Sequence, residues 1–289
     1  MIYLSFLVAW WLRNTRSAFN LIFILLYSFE GEETIGCQII KPFVPRLLKY
    51  LYHQLAAKTK NLQLKSKQKI GSLIPPIQLS ILAEISKFVT DSELCEKMID
   101  IFLPILHSVA SDEVQLNIIT TIQNLLPQTS PTVSHLTLFP PLFSCFHANK
   151  PRQILCSVYV LMSQNHTVYK QIATYVNDLN SWEVKRLEEP DYNRRLGAYR
   201  NIVSLLDAND EIWNAETILP ILQNCFFFVD KSTDMSLRDA SSSCIESVIQ
   251  MIARTSKERK NQELFDKVVT GCILPSIMRG LRLKNSVRI

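Results

Sequence analysis

The sequence predicts an all-α chain in which helical hairpins stack side by side into an α-solenoid. Three observations carry that expectation. Apolar residues recur with helical spacing over long stretches, short polar turns interrupt them, and alternating β-branched runs bounded by Asn-Gly or Asp-Gly turns are absent. Residues 218–253 show the pattern most clearly. Ile218, Leu219, Ile221, Leu222, Cys225, Phe226 and Val229 share one helical face, and Leu237, Ala240, Cys244, Ile245, Val248, Ile249 and Ile252 share another. Between them Asp230-Lys231-Ser232-Thr233-Asp234 supplies turn formers and a candidate N-cap. Pro220 is expected near the start of the first helix, where its missing N–H breaks no bond. Such a hairpin cannot bury its apolar face alone and must stack on neighbours.

The neighbours come from elsewhere in the chain. An apolar-Pro-x-apolar motif is expected to open several hairpins, with marker prolines at 45, 104, 141, 220 and 275, separated by 59, 37, 79 and 55 residues. The 37 matches one repeat of the HEAT/armadillo-like type and the 79 matches two, while the 59 and 55 require insertions. Polar turns precede amphipathic helices at Ser111-Asp112-Glu113 and at Asn149-Lys150-Pro151-Arg152. The expected organisation is a single solenoid segment over 1–289, with apolar helices at 1–29 and a basic loop insertion at 58–69.

Composition agrees with a folded, core-rich protein: 47% of residues are hydrophobic and only 6 are glycine, which excludes a disordered chain. The 31 Lys+Arg against 26 Asp+Glu leave a mild excess of +5, which permits contact with nucleic acid without demanding it. Seven cysteines, at 37, 95, 145, 156, 225, 244 and 272, occur singly and mostly inside apolar runs. They read as small core residues of a reducing compartment, cytosol or nucleus, with no CxxC pair to hold zinc. Asn165-His166-Thr167 matches a glycosylation sequon, which one chance occurrence explains as well.

Two apolar runs, 1–12 and 18–29, are separated by Arg13, Asn14, Arg16 and Ser17. Each falls short of the roughly 20 residues of a membrane span, and no basic region precedes the first as a signal peptide requires. Both are expected to be solenoid helices. Residues 58–69 carry Lys58, Lys60, Lys65, Lys67 and Lys69 with no acid. A second basic stretch holds Arg279, Arg282, Lys284 and Arg288. These nine cations are the candidate RNA-binding residues, because clustered cations release counterions from a phosphate backbone; their plainer role is a solvated loop and a polar helix face. No aromatic residue interleaves the lysines of 58–69.

Enzyme signatures are missing. The six glycines form no phosphate loop, and no HExxH, GxSxG or HRD motif is present. His53, His107, His135, His147 and His166 lie far apart and read as helix-end or surface residues. Trp182, Trp213 and Phe226, Phe227 and Phe228 read as packing and not as a ligand box. No catalytic residue, metal site or cofactor is expected.

Residues 190–253 are more distinctive. The segments PDYNRRLGAYRNI, ILPILQNCFFFV and DMSLRDASSSCIESVI carry Asp191, Arg194 and Arg195, then Asn224-Cys225-Phe226, then Asp234, Leu237, Asp239 and Cys244. They resemble the central region of the small-subunit processome component 20 family, the U3 small nucleolar RNA-associated "down-regulated in metastasis" proteins. The resemblance covers about a quarter of the chain, with 264–283 matching more loosely. It implies large HEAT-repeat scaffolds of the nucleolus, in the particle that assembles on pre-ribosomal RNA with a box C/D small nucleolar RNA and supports the cleavages yielding 18S rRNA. The implied partners are processome proteins, pre-rRNA and small nucleolar RNA, with no small-molecule substrate and no membrane. Solenoid physics alone would equally suit an adaptor in nuclear import or phosphatase scaffolding. Family members are several-fold longer, and the apolar face of 274–283 lacks a capping repeat, so the chain is expected to be a piece of a longer protein.

Overall fold

The computed structural model describes residues 44–46, 48–49, 52–53, 56–57, 76–107, 111–183, 189–208, 211–255 and 262–282. The apolar helices expected at 1–29 and the basic loop 58–69 lie outside them. Among the described residues the chain is helical, with one isolated β-bridge between Trp182 and Pro190. The all-α, stacked-helix class is therefore borne out. The chain divides into two compact units, Met1–Ser130 and Pro131–Ile289.

In the first unit, helical residues at 44–57 precede α1 (Pro76–Ser86), α2 (Ser92–Leu106) and α3 (Asp112–Leu125), which ends in a 3₁₀ turn. Asp91 starts α2 by accepting a bond from the Leu94 amide at 3.1 Å, which satisfies one free N–H of the first turn. Helix α3 packs on both α1 and α2. Leu79, Ile81, Leu82 and Ile85 of α1 are buried, as are Met98, Phe102 and Leu103 of α2 and Ile118, Ile119 and Ile122 of α3. A polar tie crosses this core: the Asn124 side-chain amide donates to the Ala83 carbonyl and to Ser86 Oγ, both at 2.9 Å.

The second unit begins with two short helices, α4 (Val133–Leu136) and α5 (Pro140–Cys145), and continues through α6 (Asn149–Ser163) and α7 (Thr167–Leu179). Then come α8 (Tyr192–Asp207), α9 (Ala215–Lys231) and α10 (Met235–Thr255). A π-helical segment, Phe265–Ile273, leads without a break into α11 (Leu274–Arg282). Most helices pack on their next and next-but-one neighbours, α6 on α7, α7 on α8 and α9, and α10 on α8 and α9, while the short α5 packs on the more distant α9. That pattern is the stacking logic of a helical repeat. The core is dominated by residues such as Phe139, Phe143, Tyr159, Tyr199, Ile218, Leu222 and Val248.

Local signals decide the helix starts. Asn214 accepts from the amides of Glu216 and Thr217, while Thr217 Oγ1 receives the Asn214 amide at 2.8 Å, a reciprocal capping box. Asp234 caps α10 as expected, accepting from the Leu237 amide at 2.7 Å, but the turn is only Ser232-Thr233-Asp234, because Asp230 and Lys231 end α9. Helix α3 begins directly after Ser111, so Asp112 and Glu113 form its first turn and not a turn before it.

Several local expectations are corrected. Pro104 lies near the end of α2 and opens nothing. Pro220 is the sixth residue of α9, past the four free amides, so its missing N–H does remove one intrahelical bond. Asn149-Lys150-Pro151-Arg152 is the first turn of α6 and not a turn before it. Ile249, placed on the buried face of α10, is 41% exposed. Pro140 and Pro141 do open α5, where a proline at the first positions loses no bond.

Candidate functional site

The most heavily invested polar constellation in the second unit is a buried guanidinium pair. Arg152 projects from the first turn of α6 and is only 3% exposed; Arg195, on α8, is 5% exposed. Arg152 Nε donates to Asn180 Oδ1 at 2.6 Å, and Nη2 donates to Asn224 Oδ1 at 2.7 Å. Its Nη1 donates to the carbonyls of Phe143 and Phe146, the latter at 3.0 Å. Those carbonyls sit at the C-terminal end of α5, where a helix leaves its last acceptors without backbone donors. One side chain therefore caps α5 and ties it to the end of α7 and the middle of α9.

The two asparagines complete the network. Asn180, the C-cap of α7, donates to the Val176 carbonyl at 2.7 Å and to Asn224 Oδ1 at 2.8 Å. Asn224 donates to the Pro220 carbonyl at 2.8 Å. The guanidinium carbon of Arg152 lies 3.6 Å from the Phe227 ring centroid and 5.5 Å from that of Phe228. Arg195 sits 5.0 Å from the Trp182 ring and 5.3 Å from Phe228, and its Nε donates to the Ser181 carbonyl at 3.0 Å. Aromatic faces stand in here for a carboxylate partner. Burial, with a smaller effect from Arg195, pushes the Arg152 guanidinium down to about 10. It stays charged at neutral pH, and its desolvation is offset by hydrogen bonds and rings.

This cluster explains most of the distinctive residues of 190–253 as packing. Asp191 caps α8 by accepting from the Arg194 amide at 3.0 Å, and Arg194 pairs with Asp178 at 2.6 Å on the surface. Arg195 and Asn224 belong to the buried network, and Asp234 caps α10. Tyr199 accepts from Ser241 Oγ at 2.9 Å, joining α8 to α10 beside the fully buried Cys225 and Cys244. Burial pushes the Cys225 thiol well up from its ordinary value, and Cys156 to about 11. Such thiols are poor nucleophiles. The histidines sit at helix ends or on the surface as expected: His166 is the N-cap of α7, His135 closes a capping box on α4, and His147 stacks on Phe227 with centroids 5.9 Å apart.

Arg152 was missed by sequence reasoning because a cation in a polar stretch reads as solvated. The only available hint was its place in a Pro-containing first turn that opens an apolar helix. Of the candidate RNA-binding residues, Arg279 is exposed on α11. Arg282 ends that helix, and Lys58, Lys60, Lys65, Lys67, Lys69, Lys284 and Arg288 lie outside the described residues. Among the described residues, no group of three His, Cys, Asp or Glu side chains is arranged to hold a metal ion. No helix among them is long and apolar enough to cross a membrane.

Comparison with known proteins follows the same lines. The family model described as "U3 small nucleolar RNA-associated protein 20, N-terminal" matches residues 15–285. The U3 small nucleolar RNA-associated protein 20 of Schizosaccharomyces pombe is 26% identical over 283 residues, covering 93% of this chain and 11% of the relative. That of Saccharomyces cerevisiae is 25% identical over 149 residues, covering 50% of this chain and 6% of the relative. The chain thus spans about a tenth of the length of the longer-matched relative. No solved structure matches. With its family model matched along nearly its whole length, the chain belongs to the U3 small nucleolar RNA-associated protein 20 family, matching the model of the N-terminal region and not the central region expected from residues 190–253.

Proposed function

We propose that this chain is a non-catalytic helical scaffold segment of the small-subunit processome, serving pre-18S rRNA processing and 40S subunit biogenesis in the nucleolus. The observation that carries the reading is the family match over residues 15–285. The physical chemistry supports it. The second unit spends its buried polar groups on joining helices, so binding work falls to the exposed faces of the stack. The partners on this reading are processome proteins, with pre-rRNA and small nucleolar RNA in the same particle. The nine candidate cations, Arg279 among them, would supply phosphate contacts.

Sedimentation of the tagged chain from nuclear extract tests the proposal. It should travel with fast-sedimenting pre-ribosomal particles, shift to lighter fractions after RNase treatment, and concentrate in the nucleolus by immunofluorescence. Migration with import factors or a phosphatase, with no response to RNase, would replace the reading with an adaptor of another pathway.

A further inference from the structure

We propose that a groove on the Met1–Ser130 unit binds a nucleotide stretch of single-stranded RNA through Arg46, Lys49 and Lys97; this deepens the processome reading and rests on it. The groove has a volume of about 370 Å³, within the range of small-ligand sites, and lies between helical residues 44–53 and the start of α2. Arg46 and Lys49 are three residues apart and exposed, and both line the groove together with His53. Lys97 faces them from α2.

Two carboxylates also line the groove, and both are engaged by their own helix. Asp91 caps α2 through the Leu94 amide, and Glu93 pairs with Lys97 one turn along. Arg46 and Lys49 are therefore the cations left to meet an anion. The Lys97–Glu93 pair is exposed, and such a pair exchanges readily for a phosphate. Tyr52 lies among these cations in an edge-on pair with His53, ring centroids 5.5 Å apart at 67°. This supplies the aromatic element that the 58–69 lysines lack, and base stacking on such rings is a sequence-tolerant source of affinity.

The lining favours RNA over an acidic peptide. Asp91 and Glu93 repel both polyanions alike, but a run of acidic side chains brings no base to stack on Tyr52. A nucleotide offers phosphate to the cations, while its 2′-hydroxyl and exocyclic amino groups can donate to the carboxylates.

The test is fluorescence anisotropy of the full chain with a short labelled single-stranded RNA over a salt series, comparing wild type with Arg46→Glu/Lys49→Glu. Both side chains are exposed, so the variant should fold; a circular dichroism melt matching wild type checks this. The expected result is roughly tenfold weaker binding and a salt slope shallower by about 1.4, the loss of two phosphate contacts. Unchanged affinity and slope would overturn the proposal, as would polyglutamate binding with the same dependence on Arg46 and Lys49 while RNA does not bind. Sedimentation separates the two readings. A variant that keeps its RNA affinity and its place in pre-ribosomal particles removes the groove alone. A wild-type chain that binds RNA through the groove yet never enters those particles removes the processome reading alone.

Discussion

Substituting Arg152 with Ala would strand the Phe143 and Phe146 carbonyls and Asn180 Oδ1, and would leave Asn224 Oδ1 with Asn180 as its remaining donor. Each buried acceptor left unpaired costs about 1 to 3 kcal/mol, so Arg152→Ala should lower the urea midpoint severely. Arg152→Met keeps volume against Phe227 and should cost less. Negligible losses in both variants would show that the guanidinium is not the tie that its geometry describes. The buried thiols give a second residue-scale expectation. Burial holds Cys95, Cys156 and Cys272 at about 11 against an ordinary 9.0, so the folded state retains those protons more tightly than the unfolded chain. Stability is full below pH 9.0 and is lost as pH rises toward 11. Native alkylation at pH 8 should therefore mark Cys145, the exposed thiol of the six described, well before Cys156, Cys225 or Cys244. Fast labelling of Cys156, read by mass spectrometry, would contradict the packing around α6.

At the scale of elements, caps and neighbours set the helices more than propensity does. Asn214→Ala removes the acceptor for two amides at the start of α9 and should cost about 1 kcal/mol in urea unfolding. A change under a few tenths would mean that tertiary packing alone defines that helix start. Periodicity made α9 and α10 legible, because their apolar positions repeat every three or four residues and a short polar turn, Ser232-Thr233-Asp234, separates them. The proline markers were less informative. Pro104 and Pro220 sit inside helices, where packing and side-chain bonds such as Asn224 to the Pro220 carbonyl compensate for the missing donor. The exposure of Ile249 has the same origin: a helix in a stack presents a stripe to its neighbours, and a position at the stripe's edge reads as core in one dimension. The Arg152 cluster was illegible for a different reason. Its five participants, Arg152, Asn180, Asn224, Phe227 and Phe228, span three helices, and only the fold brings them together.

Across the whole chain, the resemblance to the family rests on residues 190–253, among which Asp191 is a cap, Arg195 a cation over a ring and Asn224 a buried amide. The family match extends that identity to 15–285. The basic residues singled out for RNA contact are mostly outside the described residues, while Arg46, Lys49 and Lys97 come together only when two helices pack. The most direct measurement of the central claim is affinity isolation of the tagged chain from nuclear extract with sequencing of the bound RNA. The account predicts recovery of pre-18S rRNA together with U3 small nucleolar RNA and processome proteins. Recovery of a protein assembly free of both RNAs would contradict it.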